Sequence, residues 1–130
     1  MSLLEGLNGA QAEAVGAPDG AVLVLAGPGS GKTRVLTHRV AYLMSEKGMS
    51  PYSIMAVTFT NKAAREMIAR LSALIGPECQ RLTIGTFHAI CARILRREAP
   101  VLGLDPGFVI YDADDQRRLV ARAIKELDLD

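Results

Sequence analysis

The chain has 130 residues, 49% of them apolar, and a formal net charge of +1 at pH 7. That is one domain or a piece of one, long enough to bury a core and too apolar for disorder. The near-neutral balance excludes a polycationic protein that coats nucleic acid, and the acidic part is the tail, where residues 112–130 carry 4 Lys/Arg against 6 Asp/Glu.

Cys79 and Cys91 lack metal-ligand spacing and are expected as buried free thiols, which fits a reducing cytoplasm. No apolar run approaches membrane-spanning length, and the N-terminus lacks a basic region followed by an apolar core. Neither a membrane anchor nor a secretion signal is expected, and the predicted location is cytoplasmic.

In chain order, Leu7 to Val15 (LNGAQAEAV) reads as a short helix with Asn8 as N-cap and Leu7, Ala10, Ala14 and Val15 on one side. Gln11 projects from it, and spacing alone favours an ordinary solvated glutamine. Asp19-Gly20 marks a turn, and the apolar run Ala21 to Leu25 reads as a strand. Then comes AGPGSGKT, Ala26 to Thr33.

A strand, a glycine-rich turn and Lys-Thr opening a helix is the arrangement of a phosphate-binding P-loop. Gly29 and Gly31 permit positive φ, so that several backbone N–H groups point at one anion at the positive end of the following helix. Pro28 narrows the loop's freedom, while Gly27 and Ser30 complete the turn. Lys32 supplies a mobile charge for β- and γ-phosphate oxygens, and the Thr33 hydroxyl suits Mg²⁺. The first position is Ala26 where the common pattern has Gly, a small residue that still fits. An ordinary strand-to-helix connector would need only the glycines; Lys-Thr at this offset points to a nucleoside triphosphate.

Lys32 to Glu46 has Val35, Leu36, Val40, Leu43 and Met44 at helical spacing, with Gly48 as its cap and Pro51 beyond its end. Ile54 to Phe59 reads as a second strand, too apolar to alternate and therefore covered on both faces. Thr60 to Ile75 is an amphipathic helix with Ala63, Ala64, Met67, Leu71, Leu74 and Ile75 inward. Leu82 to Phe87 is a third strand with its terminal loop, Ala89 to Arg97 a third long helix, and Phe108 to Tyr111 a short fourth strand. Asp112 opens a final helix carrying Leu119, Val120, Ala123, Ile124 and Leu127. Strands alternating with helices predict an α/β parallel sheet flanked by helices.

Ligands of such sheets sit at the carboxyl ends of the strands, which gathers the P-loop, Thr58 to Lys62 (TFTNK) and Gly85 to His88 (GTFH) onto one rim. Aromatic rings, small polar groups and backing cations would suit single-stranded nucleic acid. Composition alone favours Phe59 and Phe87 as strand-end core residues and the arginines as solvated helix faces.

LNGAQAEAV, AGPGSGKT, AVTFTNKAAREM and IGTFHAICARIL, in this order and at these separations, resemble the Q motif and motifs I, Ia and Ib of superfamily 1 DNA helicases of the UvrD, PcrA and Rep type. The blocks cover much of residues 7–97, and alanine commonly opens that family's loop. The resemblance implies a RecA-like P-loop NTPase lobe, incomplete here, over residues 1–111, with 112–130 starting an inserted helical subdomain. It implies Gln11 on the adenine, Ala26 to Thr33 on ATP with Thr33 on Mg²⁺, and Arg34 on the nucleotide. Phe59, Asn61, Lys62, Thr86, Phe87 and His88 would line single-stranded DNA. The implied activity is ATP-driven 3′ to 5′ translocation and unwinding at duplex/single-strand junctions, in repair or replication, requiring a second core lobe.

The family's metal-binding Asp-Glu pair is missing, since the sequence contains no Asp-Glu dipeptide. The chain alone is therefore expected to be inactive. Two other readings stand beside this one: a non-catalytic P-loop binding module, and a compact NTPase in which FVIYD, Phe108 to Asp112, supplies a metal-binding Asp112. Against the latter, Asp112 is also well placed to cap the helix that follows it.

Overall fold

The computed structural model describes residues 3–128 and shows a mixed α/β chain. The long elements are helix α1 (Gly9–Gly16), helix α2 (Lys32–Ser45), strand β1 (Met55–Thr58), helix α3 (Asn61–Ile75), strand β2 (Thr83–Thr86), helix α4 (Phe87–Glu98) and helix α5 (Ala113–Glu126). Short 3-10 turns at Pro51–Ser53, Gly76–Arg81 and Ala99–Leu102 link them. The chain divides into two compact units, Met1–Cys91 and Ala92–Asp130.

In the first unit, β1 and β2 pair in parallel, with Met55 opposite Thr83 and Thr58 opposite Thr86. Helix α3 makes the crossover and packs against both strands. Its start is fixed by Thr60, whose hydroxyl accepts from the Ala63 N–H at 3.1 Å, and its end by Gly76. Met67 and Leu71 from α3 meet Val40 of α2, Ile54 before β1, Ala56 of β1, Cys79 and Leu82 in one cluster. Full burial of a side chain such as Leu71 contributes about 1.5–3 kcal/mol.

Several sequence expectations are corrected here. Residues 21–25 form no strand, and Leu23 and Leu25 are 83% and 86% exposed. An apolar run becomes a strand only where a neighbour completes its ladder, and the described residues offer none to this segment. Strand β1 is not covered on both faces, for Met55 is exposed while Ala56 and Thr58 are buried; with one flanking helix it alternates as a half-buried strand does. Cys79 is buried as expected, whereas Cys91 is exposed, because a helical thiol is buried only where its face meets a partner.

In the second unit, residues 108–111 likewise form no strand, again for want of a pairing partner. The Arg96 guanidinium lies 5.3 Å from the centre of the Phe108 ring. Helix α5 begins as predicted at Asp112, whose Oδ1 accepts from the N–H groups of Asp114 (2.9 Å) and Asp115 (2.8 Å), while the Asp115 carboxylate accepts from the Asp112 N–H. Its apolar residues Leu119, Val120, Ile124 and Leu127 are exposed, since nothing among the described residues covers that face. Residues 129 and 130 of this predicted segment lie outside the described residues.

The capping box at Asp112 gives a direct test. Asp112→Ala is expected to lower stability by about 1 kcal/mol, read as a reduced urea midpoint, and Asp112→Asn to keep most of it.

Candidate functional site

Helix α1 exists because its first turn caps itself. Asn8 Oδ1 accepts from the Gln11 N–H at 2.9 Å, and Gln11 Oε1 accepts from the Asn8 N–H at 3.1 Å. That reciprocal box orients the Gln11 amide with Oε1 toward the cap, leaving Nε2 on the far side. There it donates to the Ser30 carbonyl at 3.0 Å, across 19 positions of sequence. Gln11 is therefore not a solvated helical glutamine; it is docked on the glycine-rich loop.

The loop is held from within. Ser30 Oγ donates to the Gly27 carbonyl at 2.6 Å, and Lys32 Nζ donates to the Ala26 carbonyl at 3.1 Å and to the Gly27 carbonyl at 2.7 Å. Gly29 and Gly31 have φ of 71° and 80°, in the left-handed region that disfavours a Cβ. At Gly31 an added Cβ would also stand 2.8 Å from Gln11 Nε2, so the same residue permits the turn and admits the glutamine. Gly31 is the N-cap of α2, which places Lys32 and Thr33 in that helix's first turn, where N–H groups lack helical partners and the dipole is positive. Gln11, Ala26, Gly27, Ser30, Lys32 and Val35 line a concavity of about 300 Å³.

Arg34 is exposed, and its guanidinium lies beside Gly6 rather than in that concavity. One residue that the sequence reading missed is Arg39. Its Nη1 donates to the carbonyls of Val15 (2.7 Å) and Ala17 (2.6 Å), and its Nη2 to that of Pro18 (3.4 Å). Val15 is in the last turn of α1, Ala17 is its C-cap and Pro18 follows, so a cation sits at the negative end of that helix.

A second concavity of about 370 Å³ joins the start of α2 to the end of β1, with Lys32, Thr33, Thr58, Phe59 and Thr60 among its lining residues. The rim predicted from the sequence is thus assembled in this unit at these two loops. The parallel register sets the ends of β1 and β2 side by side, and the rings of Phe59 and Phe87 lie 5.3 Å apart at 44°. Phe59 is 88% exposed and Phe87 49% exposed, so neither is a core residue.

Asn61, Lys62 and His88 are also exposed, the first two opening α3 and His88 standing second in α4. Helix α4 begins two residues earlier than the sequence indicates, which puts Phe87 and His88 in its first turn rather than in a loop. Thr86 is buried, and its hydroxyl accepts from the Ala89 N–H at 3.2 Å, anchoring that turn. Asp112 Oδ1 serves the α5 cap, and residues 108–111 form no strand for Asp112 to end. The compact-NTPase reading thereby loses its structural context.

Among the described residues no helix is long and apolar enough to cross a membrane. Three relatives share the name ATP-dependent DNA helicase PcrA. That of Bacillus subtilis (strain 168) is 52% identical over 128 residues, 98% of this chain and 17% of the relative. That of Staphylococcus epidermidis (strain ATCC 12228 / FDA PCI 1200) is 50% identical over 129 residues, 99% of this chain and 18% of the relative. That of Staphylococcus aureus (strain NCTC 8325 / PS 47) is 48% identical over 129 residues, again 99% and 18%. The chain thus spans less than a fifth of these relatives' length. The family model for the UvrD/REP helicase N-terminal domain matches residues 7–130, from the Gln11 helix through the loop and both aromatic strand ends, and the chain belongs to that family.

Proposed function

We propose that this chain is the N-terminal ATP-binding part of a DNA helicase that couples ATP hydrolysis to 3′ to 5′ movement along single-stranded DNA and to opening of duplex/single-strand junctions. Residues 1–111 are the first part of a RecA-like core lobe and 112–130 open an inserted helical subdomain. The family's second lobe completes the site, and the proposed location is the cytoplasm.

The observation that carries the nucleotide assignment is the half-used amide of Gln11. Its Oε1 serves the α1 cap and its Nε2 serves Ser30. One acceptor lone pair and one N–H remain, the pair required by the N6 donor and N7 acceptor of adenine. Guanine presents O6 and N7, two acceptors, and so opposes this amide. What supports phosphate binding at the loop is the open space at Gly27 and Gly29, where an added Cβ would meet nothing within 4 Å, and the start of α2 directly after Gly31.

For Mg²⁺ the fit is one-sided. Thr33 can offer its hydroxyl, while no group of three His, Cys, Asp or Glu side chains able to hold a metal occurs among the described residues. The carboxylate is proposed to come from the Asp-Glu pair that the family resemblance places after the inserted subdomain. The ion, when bound, neutralises charge developing on the β- and γ-phosphate oxygens.

In the helicase carrying this chain, Gln11→Ala is expected to reduce the preference for ATP over GTP by about tenfold, read from kcat/KM with each nucleotide. An unchanged preference would remove the adenine contact.

A further inference from the structure

We infer that Arg39 is a positioning residue for the adenine-reading amide of Gln11, an assignment that rests on the nucleotide site proposed above. Helix α1 is only eight residues long, and Gln11 ties it to the loop by a side-chain hydrogen bond to Ser30. A helix that short has little stability of its own, so its place depends on its packing against α2, where Val15 is buried, and its tilt on what holds its ends. At the N-terminal end the hold is that bond. At the C-terminal end it is Arg39, which bridges the carbonyls of Val15 and Ala17 with one nitrogen and reaches Pro18 with the other.

Arg39 belongs to α2, the helix whose first turn presents Lys32 and Thr33. Seven residues after Lys32 it lies two turns further along nearly the same face. One helix therefore carries both the phosphate-binding turn and the clamp on α1. The link is stiff at both ends: Val15, whose carbonyl Arg39 grips, is fully buried, and the guanidinium lies 5.9 Å from the centre of the Tyr42 ring on its own helix. The planar fork suits this better than an ammonium would, because its donors diverge at fixed angles toward separate carbonyls. Release of the clamp frees α1 to tilt, and the adenine contact is the contact most sensitive to tilt. The phosphate cradle, built from residues 26–33 and held by its own bonds, keeps its shape.

The test uses the full-length helicase and compares ATP with GTP. Arg39→Ala is expected to raise the KM for ATP about tenfold while the KM for GTP and kcat stay within about twofold. The double variant Gln11→Ala/Arg39→Ala should discriminate no worse than Gln11→Ala alone, because the arginine acts through the glutamine. Arg39→Lys should recover part of the ATP preference, and it decides the matter if the alanine variant does not fold. Equal losses with both nucleotides, multiplicative effects in the double variant, or a wild-type preference in Arg39→Lys together with Arg39→Ala would overturn the inference. If Gln11→Ala itself keeps the preference, the adenine assignment falls and this one with it; if Gln11→Ala loses it and both Arg39 variants keep it, only the Arg39 assignment falls.

Discussion

Replacement of Lys32 by alanine in the proposed full-length helicase is expected to cut steady-state ATP turnover by on the order of 100-fold or more, and strand separation with it. The charge of Lys32 sits at the N-terminus of α2, above a loop whose carbonyls at Ala26 and Gly27 accept two of its three N–H donors. A triphosphate bound as proposed would compete with those carbonyls for the ammonium. That exchange would replace two neutral acceptors with anionic oxygens, and charge-assisted bonds are about twice as strong. Lys32 is exposed, so its loss is expected to change stability by no more than about 0.5 kcal/mol. A thermal melt that matches wild type, beside abolished turnover, separates the chemical role from a folding defect. The 130-residue chain alone is expected to show no ATP turnover at all, because the Asp-Glu pair that the family resemblance places on the metal is absent from this sequence. Turnover by the purified chain that disappears in Lys32→Ala would refute the half-site reading.

Where local rules decide the outcome, the sequence was enough. The starts of α1 and α5 follow from Asn8 with Gln11 and from Asp112 with Asp115, contacts spanning three residues. The cluster around Met67 and Leu71 follows from helical spacing on α3. Residues 21–25 and 108–111 were misjudged because an apolar run reads the same whether or not a neighbouring strand is there to pair with it. The contacts of Gln11 and Arg39 are invisible in the sequence for a related reason. A polar residue on a short helix looks solvated until the chain returns, 19 residues later to Gln11 and 24 residues earlier from Arg39 to Val15. For Gln11 the family resemblance supplied what spacing could not; for Arg39 no local signal existed.

The exposed aromatic pair leads to the other large effect. Phe59→Ala and Phe87→Ala are each expected to weaken binding of a single-stranded oligonucleotide by roughly 1–3 kcal/mol, the worth of one base stacked on an aromatic ring. A ring that is 88% exposed gives the fold little, so Phe59→Ala should melt close to wild type. With the rings 5.3 Å apart and tilted by 44°, one base plane cannot lie flat on both. Successive bases would meet successive rings, and the double variant should approach the sum of the single losses. Strong sub-additivity would mean instead that the rings act as one platform. Lys62, exposed in the first turn of α3 just beyond Phe59, belongs to the other half of such a track, the backbone charge. Lys62→Ala should weaken binding evenly across sequences and reduce the dependence on salt by about one counterion, whereas the phenylalanine variants should leave that slope unchanged. Fluorescence anisotropy of a labelled oligonucleotide across a salt series, on the full-length protein, distinguishes these outcomes. Unchanged affinity in both Phe59→Ala and Lys62→Ala would remove this rim from the DNA path.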